Sequence, residues 1–201
     1  MRYLIPAGFL ALLSAGASAQ YVKQYNPWPV ISGTDTLDLP FWGGINSPKS
    51  DLVDFDGDGL FDLFIASAQE GAERVSYLKN TGTAEKPAWT PVTERFGEIN
   101  TGKWFRFADI DADGDLDLFC DSRTGFASFY RNESVGADLR FVLVKEVYGG
   151  FQTGFNNTPE FADIDGDGDL DFFFGNLAGG LDLYRNIGTP TTAVFILETS
   201  A

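Results

Sequence analysis

One nine-residue pattern recurs three times in phase and limits what this chain can become. It reads DFDGDGLFD at Asp54 to Asp62, DIDADGDLD at Asp109 to Asp117 and DIDGDGDLD at Asp163 to Asp171. Each copy carries a carboxylate at positions 1, 3, 5 and 9, with glycine at position 6: Gly59, Gly114 and Gly168. Alternate side chains of a tight loop can converge on one point, and glycine permits the sharp reversal without a Cβ clash. Carboxylates crowded in this way repel one another by about 1 kcal/mol per pair at 4 Å even in bulk water. A hard divalent cation removes that cost. Calcium, which takes six to eight oxygens, suits four carboxylates and a backbone carbonyl at position 7, supplied by Leu60, Asp115 and Asp169.

A solvated acidic turn is the plain alternative, and three copies of one ligand spacing speak against it. The EF-hand needs a bidentate glutamate at position 12 and flanking helices. Position 12 here is Ile65, Cys120 and Phe174. The residues that follow each loop, LFIAS, LFCDS and FFFGN, are apolar and aromatic with short polar alternation, which reads as strand.

Other features keep the phase of the loops, as a repeat architecture requires. An aromatic residue and a glycine precede each loop, at Trp42-Gly43, Phe96-Gly97 and Tyr148-Gly149. A strand after each loop runs through tyrosine to asparagine: Tyr77 to Asn80, Tyr130 to Asn132 and Tyr184 to Asn186. Beyond each asparagine an aromatic (Trp89, Phe141 or Phe195) opens a further β-rich run. One unit therefore holds about four strands, with the acidic loop joining the first to the second. In the middle unit they are expected near 104–109, 116–121, 125–131 and 140–147. The asparagines should cap the turn into the outer strand through side-chain to backbone hydrogen bonds.

The fold class that follows is all-β, built of β-propeller blades of four antiparallel strands, with three repeats present in a partial or truncated propeller. The blades should span about 43–96, 97–148 and 149–199, with an outer-strand-like segment at 25–31. The abundant aromatics fill the space between sheets. An amino-terminal outer strand, beside a last unit that already has its own, points to further blades beyond Ala201; assembly of several short chains is the alternative.

At the amino end, Arg2, an apolar run from Leu4 to Leu13 and Ala17-Ser18-Ala19 read as a secretory signal peptide over 1–19, cleaved before Gln20. The mature chain is expected outside the cell or in the periplasm, with no membrane span. Cys120 is the only cysteine, so no intrachain disulfide is available, and it reads as a buried hydrophobe. Twenty-nine acidic against 14 basic residues, no histidine and a formal charge of −15 argue against nucleic acid and anionic membrane as partners.

The motif F-A-D-I-D-G-D-G-D-L-D at Phe161 to Asp171, followed by G-G-L-D-L-Y-R-N at Gly179 to Asn186, resembles the FG-GAP or VCBS repeat, the blade of integrin-alpha-type propellers. The resemblance runs from Gly43 to about Thr199. It implies calcium at positions 1, 3, 5 and 9 of each loop: Asp54, Asp56, Asp58 and Asp62; Asp109, Asp111, Asp113 and Asp117; Asp163, Asp165, Asp167 and Asp171. Leu60 replaces the usual Asp at position 7, which costs little where that ligand is a backbone oxygen. About three calcium ions per chain are expected.

Two functions follow. The first is a secreted, non-enzymatic interaction or adhesion module whose calcium is structural and whose loops at 66–73, 122–125 and 175–180 face a protein or glycan ligand. The second is part of a carbohydrate-active enzyme such as a polysaccharide lyase. Against the second, no histidine base, nucleophile elbow, HExxH or phosphate-cradling loop is present. Asn132-Glu-Ser134 and Asn156-Asn-Thr158 are glycosylation sequons that matter only in a eukaryotic secretory pathway.

Overall fold

A computed structural model describes residues 30–32, 34–37, 47–66, 74–136, 138–154, 159–176 and 178–200. The chain divides into two units, Met1–Gly43 and Gly44–Ala201. In the first, β1 (Val30–Ser32) pairs antiparallel with β2 (Asp35–Leu37), Ile31 opposite Thr36. The signal peptide and most of the expected outer strand at 25–31 lie outside the described residues; Val30 and Ile31 belong to β1.

The second unit is three four-stranded sheets, each an antiparallel meander in chain order. The first holds β3 (Lys49–Val53), β4 (Asp62–Ala66), β5 (Val75–Asn80) and β6 (Trp89–Thr93). The second holds β7 (Phe105–Ala108), β8 (Asp117–Asp121), β9 (Ala127–Asn132) and β10 (Phe141–Lys145). The third holds β11 (Glu160–Ala162), β12 (Asp171–Gly175), β13 (Leu181–Asn186) and β14 (Phe195–Ser200). The four-strand reading of the middle unit holds, with strand ends within two residues of those expected. No α-helix occurs among the described residues, and none is long and apolar enough to cross a membrane.

Register fixes the loops. The residue before the first Asp stands opposite the ninth: Val53 with Asp62, Ala108 with Asp117 and Ala162 with Asp171. Each acidic loop is thus the hairpin connection between a blade's first two strands. The asparagine at the end of the third strand pairs with the aromatic that opens the fourth: Asn80 with Trp89, Asn132 with Phe141 and Asn186 with Phe195.

Strand alternation gives every blade a forward and a rear face. The forward face of the first blade sets Phe64 against Tyr77, rings stacked at 4.6 Å; that of the second sets Phe119 against Phe129 at 4.9 Å. These faces meet the rear face of the following blade. Phe64, Tyr77 and Phe96 pack with Phe105, Phe107, Leu118 and Cys120, and Phe119, Phe129 and Trp104 pack with Phe172 and Phe174. The middle blade is covered on both sides, so β8 is buried at all five residues where β4 alternates. Cys120 is free and buried in this packing, as the sequence led us to expect. Polar ties accompany the aromatic ones: the Phe107 N–H donates to Asp51 Oδ2 at 3.1 Å, and Arg106 Nε donates to Glu160 Oε2 at 3.0 Å.

Candidate metal centre

The three acidic loops fold alike because the same backbone bonds close each of them. The position-6 N–H donates to the first carboxylate: Gly59 to Asp54 at 2.9 Å, Gly114 to Asp109 at 3.1 Å and Gly168 to Asp163 at 3.1 Å. The position-7 N–H donates to the fifth: Leu60 to Asp58 at 3.0 Å, and Asp115 to Asp113 and Asp169 to Asp167, both at 3.1 Å. These donors order the carboxylates and offset part of their mutual repulsion. Gly59, Gly114 and Gly168 have φ of +86°, +94° and +94°, the left-handed geometry the sharp reversal needs. Position 4 is left-handed as well: Gly57 at +72°, Gly166 at +80° and, without glycine, Ala112 at +54°.

Positions 1, 3 and 5 converge. In each of the triplets Asp54–Asp56–Asp58, Asp109–Asp111–Asp113 and Asp163–Asp165–Asp167, one oxygen per residue lies within 4.8 Å of the others. Such a cluster of hard oxygens can hold a cation. Further loop oxygens are buried with no hydrogen-bond donor: Asp54 Oδ1, Asp111 Oδ1, Asp115 Oδ1, Asp117 Oδ2 and Asp169 Oδ1. A buried carboxylate oxygen without a donor is costly, and a cation is the partner that would satisfy it. The residues present therefore fit a hard divalent ion.

Position 7 carries a side chain as well as a carbonyl. Burial pushes the carboxyls of Asp115 and Asp169 up to about 6, and neighbouring carboxylates of their own loops add to the rise. Leu60 has only its backbone to offer. Asp58, by contrast, is held below the usual carboxylate range by the Leu60 N–H and by Lys79.

Position 9 has a second task that spacing does not reveal. Asp62, Asp117 and Asp171 are fully buried. Their Oδ1 atoms accept the backbone N–H of Asn80, Asn132 and Asn186 at 2.8, 2.9 and 2.8 Å. Asp62 Oδ2 is taken by the Tyr77 hydroxyl at 2.9 Å, and Asp171 Oδ2 by the Ile164 N–H and Arg185, both at 3.0 Å. Only Asp117 keeps Oδ2 unpartnered, and its burial, opposed by the Asn132 N–H, pushes its carboxyl up to about 7. The ninth residue thus latches the second strand to the third. The asparagines complete the latch as caps: Asn80 Oδ1 accepts the N–H of Gly82 and Ala88, Asn132 that of Ser134, and Asn186 that of Gly188 and Val194.

A basic residue precedes each of these asparagines and reaches the loop, a feature legible as K-N, R-N and R-N in phase but not singled out by motif reading. Lys79 pairs with Asp56 and, at 3.2 Å, with Asp58. Arg131 pairs with Asp111 at 3.3 Å, and Arg185 with Asp165 and Asp171 at 3.0 Å. Each loop has an internal counter-charge.

Of the expected contact loops, residues 67–73 lie outside the described residues. Ser122 and Thr124 close a turn on one another at 2.7 Å and line a cleft of about 410 Å³ with Arg123, Tyr130 and Glu146. Asn176 closes the third-blade loop by donating its backbone N–H to the Gly180 carbonyl at 2.9 Å.

Comparison with known proteins agrees with this geometry. No curated protein matches the chain. The family model of the FG-GAP-like repeat matches residues 54–120, from the first acidic loop to the strand that follows the second. Residues 54–120 are thus similar to an FG-GAP-like repeat, and the four-stranded unit with its acidic loop stands three times in the fold.

Proposed function

We propose that this chain is a calcium-stabilised interaction module: three ions, one per acidic loop, fix the hairpin between the first two strands of each blade, and the connecting loops meet a protein or glycan partner outside the cell. The observation that carries the reading is the convergence of positions 1, 3 and 5 in all three loops. Asp54, Asp56 and Asp58 would hold the first ion, Asp109, Asp111 and Asp113 the second, and Asp163, Asp165 and Asp167 the third, with position 7 close by. The ninth aspartates act mainly as latches; Asp117, with one free oxygen, is the one best able to contribute a ligand. The bound ion supplies positive charge and nothing else, and the chain's residues order it and the strands around it. The amino-terminal apolar run supports export, and the acidity of the surface supports a partner other than nucleic acid.

Binding to the folded form alone stabilises it. Free calcium at about a hundredfold above Kd adds roughly 2.7 kcal/mol per site. The test is a calorimetric calcium titration of the chelator-treated chain with parallel melting curves. About three ions bound, with a raised melting temperature, is the expected result; no heat and no shift at millimolar calcium would sink the reading.

A further inference from the structure

We propose that the chain associates head to tail, the forward face of its third blade seating the rear face of the first blade of a second copy. The argument rests on equivalent positions in the three repeats. Position 2 of the acidic loop points forward. Phe55 meets Phe64, Phe96, Phe107 and Phe141 in the first interface, and Ile110 is 5% exposed in the second. In the third blade the equivalent Ile164 is 48% exposed. Phe173 and Leu183, which stand opposite each other where Phe119 and Phe129 stand in the middle blade, are only half-buried.

The rear side shows the same relation. Position 8 packs backward as Leu116 in the first interface and Leu170 in the second, yet the equivalent Phe61 is 64% exposed. Two residues before the loop, Phe107 is 7% exposed and Phe161 packs in the second interface, while the equivalent Leu52 is 54% exposed. One molecule thus carries both halves of an interface that it has already built twice. The occupant that fits a forward face is a rear face of the same repeat, and a second copy of this chain offers one with Phe61 and Leu52 exposed. Joining unlike faces makes a heterologous contact, which can extend beyond a dimer.

Charge sets the conditions. The residue three before each loop is Asp51, Arg106 and Glu160, and the interior pairing of Arg106 with Glu160 is of opposite sign. At the new joint Glu160 meets the equivalent Asp51 of the second copy, and each chain carries a formal charge of −15. Association therefore strengthens as salt screens these charges, the reverse of an interface held by ion pairs.

The test is sedimentation velocity of the full chain over a wide concentration range at low and high salt, with Ile164→Arg to block the forward face and Phe61→Arg to block the rear. Wild-type protein should associate with rising concentration, more so at high salt. Each variant alone should be monomeric, its Kd raised at least about a hundredfold by an unpaired buried charge. An equimolar mixture should form a 1:1 dimer that grows no further, because each variant keeps the face the other has lost. A monomeric wild type, a variant that still self-associates, or a mixture that stays monomeric overturns the proposal. Should either arginine variant fail to fold, Ile164→Gln and Phe61→Gln carry the same comparison with a smaller expected shift.

Discussion

Replacing Asp171 with alanine should unfold the third blade's latch while leaving its ion triplet intact. The carboxylate is fully buried and accepts the Asn186 N–H at 2.8 Å, the Ile164 N–H at 3.0 Å and Arg185 at 3.0 Å. Arg185 keeps Asp165 and Glu198, so its loss adds little. The Asn186 N–H is the buried donor of the two, and leaving it unsatisfied costs about 1–3 kcal/mol; the Ile164 N–H is only part-buried, so water can replace its acceptor and its loss adds less. The sum is a sizeable part of the roughly 5–15 kcal/mol that holds an ordinary domain folded. Asp167→Ala is the control. Its side chain is exposed, its oxygen accepts one N–H, that of Asp169 at 3.1 Å, and its removal relieves like-charge crowding. It should cost under about 1 kcal/mol without calcium. Urea denaturation in excess chelator, followed by circular dichroism, measures both. If Asp171→Ala lies within about 1 kcal/mol of wild type, or if Asp167→Ala costs as much, the ninth residue is no latch. Asp62→Asn sharpens the comparison: its amide oxygen can accept the Asn80 N–H while its amide N–H donates to the Tyr77 oxygen, so this substitution should be nearly neutral.

Three further outcomes are expected. Ala112→Gly relieves a left-handed alanine at φ +54° and should raise stability in chelator by about 0.5–1 kcal/mol, read from the urea midpoint; a loss would mean that the loop tolerates no added chain freedom. Lys79→Gln removes the counter-charge from Asp56 and Asp58; it should tighten the first loop's calcium affinity about tenfold and lower the melting temperature of the chelated protein, opposite signs that calorimetry and thermal melts can separate. Weaker calcium binding in that variant would instead make Lys79 a support for the ligand geometry. The Tyr148 hydroxyl is pushed up to about 12 by burial, helped by the Asp117 and Asp111 carboxylates, against about 10 in an unfolded chain. The native state holds this proton more tightly, so its contribution is complete below pH about 10 and is lost as pH rises toward about 12, by at most about 1.4 kcal/mol per pH unit. Tyr148→Phe should flatten the fall in urea midpoint over that range; an unchanged slope would assign the alkaline loss to other groups.

What the sequence by itself determined is what repeats at fixed intervals. Three acidic loops in register, with glycine at position 6 and aromatics in phase, dictated four-stranded units, their connection through the loop and the caps at Asn80, Asn132 and Asn186, because turn chemistry and strand alternation are local. The convergence of positions 1, 3 and 5 was legible for the same reason. The ninth aspartate was not legible as a latch, since its partner is a backbone N–H at the far end of the next strand, reached only when β4, β8 and β12 lie beside β5, β9 and β13. Lys79, Arg131 and Arg185 escaped notice because an ion pair across a sheet depends on register and side-chain direction rather than on spacing from the motif. The tertiary structure alone decided which of three equivalent residues is covered. Ile110 and Ile164 occupy the same loop position and are chemically identical, yet one is buried and the other exposed. Burial belongs to the neighbour that a face meets, and no residue in the repeat encodes how many neighbours there are.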